Sequence, residues 1–211
     1  MTVNNPNLQF RANLTPLVPA NVRYGVTHHI AGSNRTVEQI HNQHLGLSWL
    51  GIGYNEYIRK DGSVWIGRGD NVGAQTQGFN TVSYGIGFEG NYDVAGTIMP
   101  EAQFKAGVAR WAYHLSRFPN MTLKRHRDLN PTACPGRFFP FERMMAEVEQ
   151  LMYQAPDDYV PDEAHWAAEY KQFLIENGIT IHEERFDDNI TRGEVFALLG
   201  RLYRAINTPY I

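Results

Sequence analysis

Cysteine is nearly absent: there is one, Cys134, in 211 residues. A single thiol excludes an intrachain disulfide framework. An excess of either charge is missing too. Nineteen basic residues meet 22 acidic ones, for a net charge of −3 and a pI near 6.2. Nucleic-acid binding, which normally shows a basic excess, is therefore not expected. No apolar run approaches the roughly 20 residues that cross a bilayer, so no membrane span is expected. The N-terminal MTVNNPNLQFRANLT lacks the basic and apolar regions of a signal peptide, which predicts a chain made in the cytoplasm without one. What is present is a hydrophobic fraction of 43% with 12% aromatics, enough to bury a real core. Eight histidines against one cysteine direct attention to metal or acid–base chemistry.

The clearest boundary is YQAPDDYVPD at 153–162, where two prolines and three aspartates interrupt helical patterning. This divides the chain into a main domain at 1–152, a linker at 153–162 and a small α-helical module at 163–211. The main domain reads as mixed α/β, a central β-sheet flanked by helices. RYGVTH at 23–28 reads as a strand ending at histidines. Thr36 opens a helix, with Gln39 as capping-box partner, and Val37, Ile40, His44 and Leu45 share one face. GYNEYIR and SVWIGR flank Lys60-Asp61-Gly62, a hairpin signal because glycine reaches positive φ without steric cost. SYGIGFE at 83–89 reads as a buried strand. A long helix follows Pro100, striped by Phe104, Val108, Trp111 and Leu115. Phe141, Met144, Val148 and Leu151 mark a closing helix. In the last module, Trp166, Tyr170, Phe173 and Leu174 stripe one helix, and Thr191 with Glu194 caps another.

His126 and Cys134 lie in RHRDLNPTACPG, a turn-rich segment that cannot be one regular helix; His28 ends a strand about a hundred residues earlier. Together they can form a His-His-Cys zinc site, whose three protein ligands leave a fourth position for water. The plainer reading is a hydrogen-bonded strand-end histidine and a small buried cysteine. His29 falls on the opposite strand face. His41 and His44 have no third ligand near in sequence and read as surface or packing residues.

Four segments carry a specific resemblance: VTHHIAGS at 26–33, HLGLSWLGIGYNEYIRKDGSVWIGRG at 44–69, GAQTQGFNTVSYGIGFEGNY at 73–92 and RHRDLNPTACPGR at 125–137. In these the chain resembles the zinc-dependent N-acetylmuramoyl-L-alanine amidases of the phage-lysozyme and peptidoglycan-recognition-protein superfamily. The resemblance implies Zn²⁺ held by His28, His126 and Cys134, and peptidoglycan as substrate, cut between N-acetylmuramic acid and L-alanine. It implies Tyr54 as the active-site tyrosine and Thr132 as the residue contacting the reacting group; the alternatives are a strand tyrosine and a turn hydroxyl. Gln75 stands where many relatives carry histidine, and it cannot titrate; with Asn80 it is a candidate for substrate binding. Gly87 stands where some relatives place a glutamate base. Glu89, two residues on, is the candidate substitute, the alternative being a solvated strand-end carboxylate.

The last module resembles one S-layer homology unit through HWA, NGIT, RFDD and ITRGE at 190–194. Such units bind secondary cell-wall polymer. Arg192 follows an N-cap, where a cation is disfavoured by the helix dipole and suits an anionic ligand; the alternative is a salt bridge to Glu194, Asp187 or Asp188. The leading expectation is a wall-lysing endolysin that acts after release from the cytoplasm. The others are a host autolysin or recycling amidase and a non-catalytic peptidoglycan-binding protein.

Overall fold

The structure, a computed structural model, describes residues 2–153; the linker from Gln154 onward, the C-terminal module and Arg192 lie outside the described residues. Six strands form one sheet: β1 (Val3–Asn4), β2 (Tyr24–His29), β3 (Glu56–Ile58), β4 (Val64–Ile66), β5 (Ser83–Phe88) and β6 (Thr122–Arg125). Their spatial order is β1-β4-β3-β5-β2-β6. Only β3 and β4 run antiparallel; the other neighbours are parallel. Three helices complete the domain: α1 (Val37–Gly46), α2 (Glu101–Arg117) and α3 (Phe141–Tyr153). This is the mixed α/β architecture the hydrophobic patterning implies.

Local chemistry accounts for the element ends. Thr36 accepts the Gln39 N–H, and the Gln39 side chain accepts the Thr36 N–H, closing the capping box that starts α1. The β3–β4 turn is pinned by Arg59 N–H to Ser63 O at 3.0 Å, with Gly62 at φ 82°. Strand β6 was not expected from the sequence, because TLKR is short, half polar and without clear alternation.

The two sheet faces are filled differently. Tyr84, Ile86 and Phe88 of β5 pack with Phe104 and Trp111 of α2 and with Met144 and Val148 of α3 in the larger core. On the other face α1 contributes Val37 and Ile40 to a smaller cluster with Ile52 and Tyr57. Three details depart from the expected stripes. His41, not His44 or Leu45, is the third buried residue of α1. Its ring accepts the Ile52 N–H at 3.3 Å and donates to Gln9 O at 3.0 Å, pinning the N-terminal segment. Leu115 is only partly buried against the larger core. Leu151 is exposed, so the apolar stripe of α3 ends one turn early.

Candidate metal centre

Alternation along β2 sends Tyr24, Val26 and His28 to the α1 face and Gly25, Thr27 and His29 to the α2 face. The β5 residues in register with the first set are Ser83, Gly85 and Gly87. Two of these are glycines, so β5 leaves a shallow floor beside His28. His126 opens a short 3₁₀ turn, His126–Asp128, directly after β6, the strand beside β2. The Asp128 carboxylate accepts the Arg125 N–H at 2.8 Å and Arg125 Nε at 3.1 Å. The Arg127 N–H donates to Cys134 O at 2.9 Å, folding the 126–134 loop back on itself. Sheet and loop together carry His28, His126 and Cys134 to one point.

The ligating atoms of these three residues lie within 4.8 Å of one another, the one such group of histidine, cysteine and acidic side chains among the described residues. The His28 and His126 rings are 4.5 Å apart between centroids, and Cys134 Sγ is 3.7 Å from His28 Nδ1. Tetrahedral zinc with Zn–N of about 2.0–2.1 Å and Zn–S of about 2.3 Å holds nitrogen and sulfur about 3.6 Å apart. The His28–Cys134 pair matches that spacing. Burial, and then the neighbouring His126, drive the His28 pKa down to about 3. Burial also lowers that of His126. Both imidazoles are therefore neutral near pH 7, the form that ligates. Burial pushes the Cys134 thiol up to about 11, so a bound dication is what would make it a thiolate. The donor set fits zinc.

The other expected residues are placed as follows. The Tyr54 ring lies 5.3 Å from that of His28, and burial, then Cys134, raise its phenol pKa. A Cβ on Gly87 would sit 2.7 Å from Tyr54 Cδ2. The tyrosine thus lies across the position where some relatives carry a glutamate. Thr132 is exposed, and its hydroxyl accepts the Cys134 N–H at 3.2 Å, bracing the ligand loop. Gln75 is buried under His28: its Oε1 is hydrogen-bonded to His28 Nε2 and Thr76 Oγ1, and its Nε2 donates to Ser83 Oγ at 2.9 Å. Asn80 Oδ1 accepts the Gln75 and Thr76 N–H groups at 3.0 and 2.9 Å, closing the turn that presents Gln75. Glu89 is not gathered with the three ligands. It is 2% exposed, and its two carboxylate oxygens accept the Asn34 N–H at 2.5 Å and the Lys60 N–H at 2.9 Å. Arg59 Nε lies 3.5 Å away. It is therefore not a solvated strand-end carboxylate. His29 turns to the other face and accepts the Tyr92 N–H at 3.0 Å.

Two neighbours escaped the sequence reading. His44, taken as surface or packing, continues a row of rings from the centre: 5.8 Å to Tyr54 and 4.7 Å to the exposed Trp49. Its Nδ1 accepts the Gly53 N–H at 3.0 Å, and burial, then Arg68, hold its pKa near 4. Arg68 is buried between the Ile52 and Val72 carbonyls at 2.7 and 3.0 Å, with no carboxylate partner among the described residues. A charged residue closing the apolar run VWIG was the available signal.

Residues 18–137 match a family model described as N-acetylmuramoyl-L-alanine amidase. The chain is 35% identical over 106 residues to an endolysin of Enterobacteria phage K11, covering 47% of this chain and 69% of that one. It is 36% identical over 126 residues to peptidoglycan-recognition protein SC1a of Drosophila melanogaster, covering 54% and 67%. Among solved structures, N-acetylmuramoyl-L-alanine amidase LysC from Clostridium intestinale URNW superposes with a TM-score of 0.66 at 32% identity, over 71% of this chain and 98% of that one.

Proposed function

The chain belongs to the N-acetylmuramoyl-L-alanine amidase family, and from that premise we propose that it lyses cell walls as a zinc-dependent endolysin. Its activity is hydrolysis of the amide between N-acetylmuramic acid and the L-alanine of the stem peptide in peptidoglycan. The observation that carries the zinc reading is the convergence of His28, His126 and Cys134 beside Tyr54, all four within the matched residues. When bound there, zinc would supply a Lewis acid that acidifies a water and polarises the scissile carbonyl.

The chain's own residues do the rest. His28 and His126 are held neutral and unable to compete for protons near pH 7. Tyr54 keeps its phenolic proton because burial opposes ionisation, so it acts as a hydrogen-bond donor to the developing oxyanion rather than as a base. Thr132 uses a lone pair on the Cys134 N–H, which leaves its O–H free to donate outward. Glu89, held by two backbone N–H groups, favours a scheme without a carboxylate base. The Trp49–His44–Tyr54 row forms one wall of the approach, and the nearby charge of Arg68, without a carboxylate partner among the described residues, suits a carboxylate-bearing stem peptide.

A second reading, a non-catalytic peptidoglycan binder, is favoured by the recognition-protein relatives. Cys134 within ligand distance of His28 argues against it. In the C-terminal module, Arg192 would hold an anionic secondary wall polymer, and access to the wall would follow release from the cytoplasm. Digestion of purified peptidoglycan tests the central assignment. New L-alanine amino termini without new reducing ends support it, with activity lost in chelator and restored by zinc. New reducing ends, or full activity in chelator, refute it.

A further inference from the structure

Gln75 occupies a position that its residue type alone does not explain. A glutamine amide accepts through its oxygen and donates through its NH2, so what it presents to a neighbour depends on what fixes its orientation. Here three neighbours do so. The backbone on either side is held by Asn80 Oδ1, which accepts the Gln75 and Thr76 N–H groups. Gln75 Nε2 reaches Ser83 Oγ at 2.9 Å, and the Thr76 hydroxyl donates to Gln75 Oε1. That leaves the amide oxygen facing His28 Nε2. The room for this arrangement comes from Gly85, where a Cβ would fall 2.4 Å from Gln75 Cδ. On the far side of the same imidazole, Nδ1 faces Cys134 Sγ at 3.7 Å.

We infer that Gln75 is a positioning residue for the metal centre: by accepting the His28 Nε2–H it fixes the tautomer and ring orientation that aim the Nδ1 lone pair at the site, with Ser83, Thr76 and Gly85 holding Gln75 in place. The inference rests on the zinc reading of the centre. Neutral imidazole carries one N–H, and a ring free to choose would place it on Nδ1 part of the time, blocking the ligating nitrogen. An acceptor fixed at Nε2 removes that competition. Hydrogen-bond partners of metal-bound histidines commonly contribute 10–100-fold to metal affinity. Glutamine does this without ionising, so the partner of His28 stays an acceptor at any pH the wall enzyme meets.

The test has two independent readouts on the full chain. Histidine-labelled, metal-free protein examined by ¹⁵N NMR near neutral pH should show His28 protonated at Nε2 and bare at Nδ1. Gln75→Leu should show a mixture. Zinc affinity, measured by competition with a chromophoric chelator, should fall about 10–100-fold in Gln75→Leu. Gln75→Glu, which keeps an acceptor, should bind within a few-fold of the parent. Gly85→Ala, which leaves both partners present but removes the space for the amide, should weaken zinc in the same direction. A parent chain that takes no zinc would defeat the metal reading, while the NMR result would still decide what Gln75 does. A parent chain that binds zinc would overturn the inference if Gln75→Leu binds equally well, or if metal-free His28 is protonated at Nδ1. Should Gln75→Leu not fold, the wild-type tautomer and the Gly85→Ala affinity decide between these outcomes.

Discussion

His114 on one face of the sheet and His28 on the other are both buried, and the two are used in opposite ways. On the α2 face, His114 is fully buried, and its Nε2 lies 3.0 Å from Glu56 Oε1. Arg110 closes on the same carboxylate at 2.5 and 2.8 Å, and the Tyr84 hydroxyl donates to it at 3.2 Å. On the α1 face, His28 is equally buried but has an amide below it and another imidazole and a thiol beside it. A buried ring whose polar neighbours include a carboxylate and its own counter-cation is internally compensated. A buried ring whose other neighbours, an imidazole and a thiol, gather ligating atoms within 4.8 Å of one another has no such compensation and offers a place for a cation. Burial alone does not separate these cases, since both rings have lowered pKa values with burial as the first cause. The chemistry of the second neighbour separates them.

The largest effect should come from breaking the uncompensated side. Cys134→Ser is expected to lose about 10³-fold or more in activity on peptidoglycan, because a metal contributes several kcal/mol to the transition state. His114→Gln, on the compensated side, should leave the rate within a few-fold while lowering stability. Equal losses in the two variants would erase the distinction drawn between the faces.

The next effect belongs to the compensated side. Burial alone would raise the Glu56 carboxyl, but hydrogen bonds from His114 and Arg110, with the charge of Arg110, bring it down to about 2. His114 itself is lowered by burial, so Arg110 is the counter-ion and His114 a neutral N–H donor near pH 7. A carboxylate with a depressed folded pKa contributes stability above its ordinary value of 4.5, and loses it as pH falls toward about 2. Glu56→Gln should therefore cost about 3 kcal/mol at pH 7, lowering Tm by about 10 °C, and zinc content should not change. The gap in stability between parent and variant, followed by denaturant titration, should shrink steadily from pH 5 to pH 3. A gap that is independent of pH would contradict the assignment.

Glu89→Gln is expected to be smaller. It exchanges a carboxylate that accepts two backbone N–H groups for an amide with one acceptor, at about 1–3 kcal/mol of stability. Its turnover should stay within a few-fold. A loss of about 10²-fold in kcat with unchanged Tm would restore Glu89 as the base. The smallest effect concerns a residue beyond the described domain: Arg192→Ala should weaken cosedimentation with intact walls and leave hydrolysis of a soluble muropeptide unaltered.

Much of this was legible where one residue type has one physical use. Thr36 with Gln39, Lys60-Asp61-Gly62 and the Phe104–Val108–Trp111 stripe each announce a local geometry, and each element formed where expected. The ligand trio was legible as chemistry, though its spacing alone also allowed an inert histidine and cysteine. What could not be read were interactions between polar residues distant in sequence. Glu56 and His114 are 58 residues apart, and neither neighbourhood mentions the other. Gln75 was set among the substrate contacts, although it turns inward to a histidine 47 residues away. Glu89 lies two residues from Gly87, which suggested a shared role, but strand β5 ends at Phe88 and the chain turns the carboxylate into the Asn34 and Lys60 amides.

The central claim is that the α1 face holds a metal that the α2 face does not need. Elemental analysis of the purified full-length chain, before and after exhaustive dialysis against chelator, with peptidoglycan hydrolysis followed alongside, tests it directly. About one zinc per chain is expected in the parent and almost none in Cys134→Ser, with activity falling and returning in step with zinc. A metal-free parent that hydrolyses at full rate, or a Cys134→Ser chain that keeps its zinc, would contradict the account.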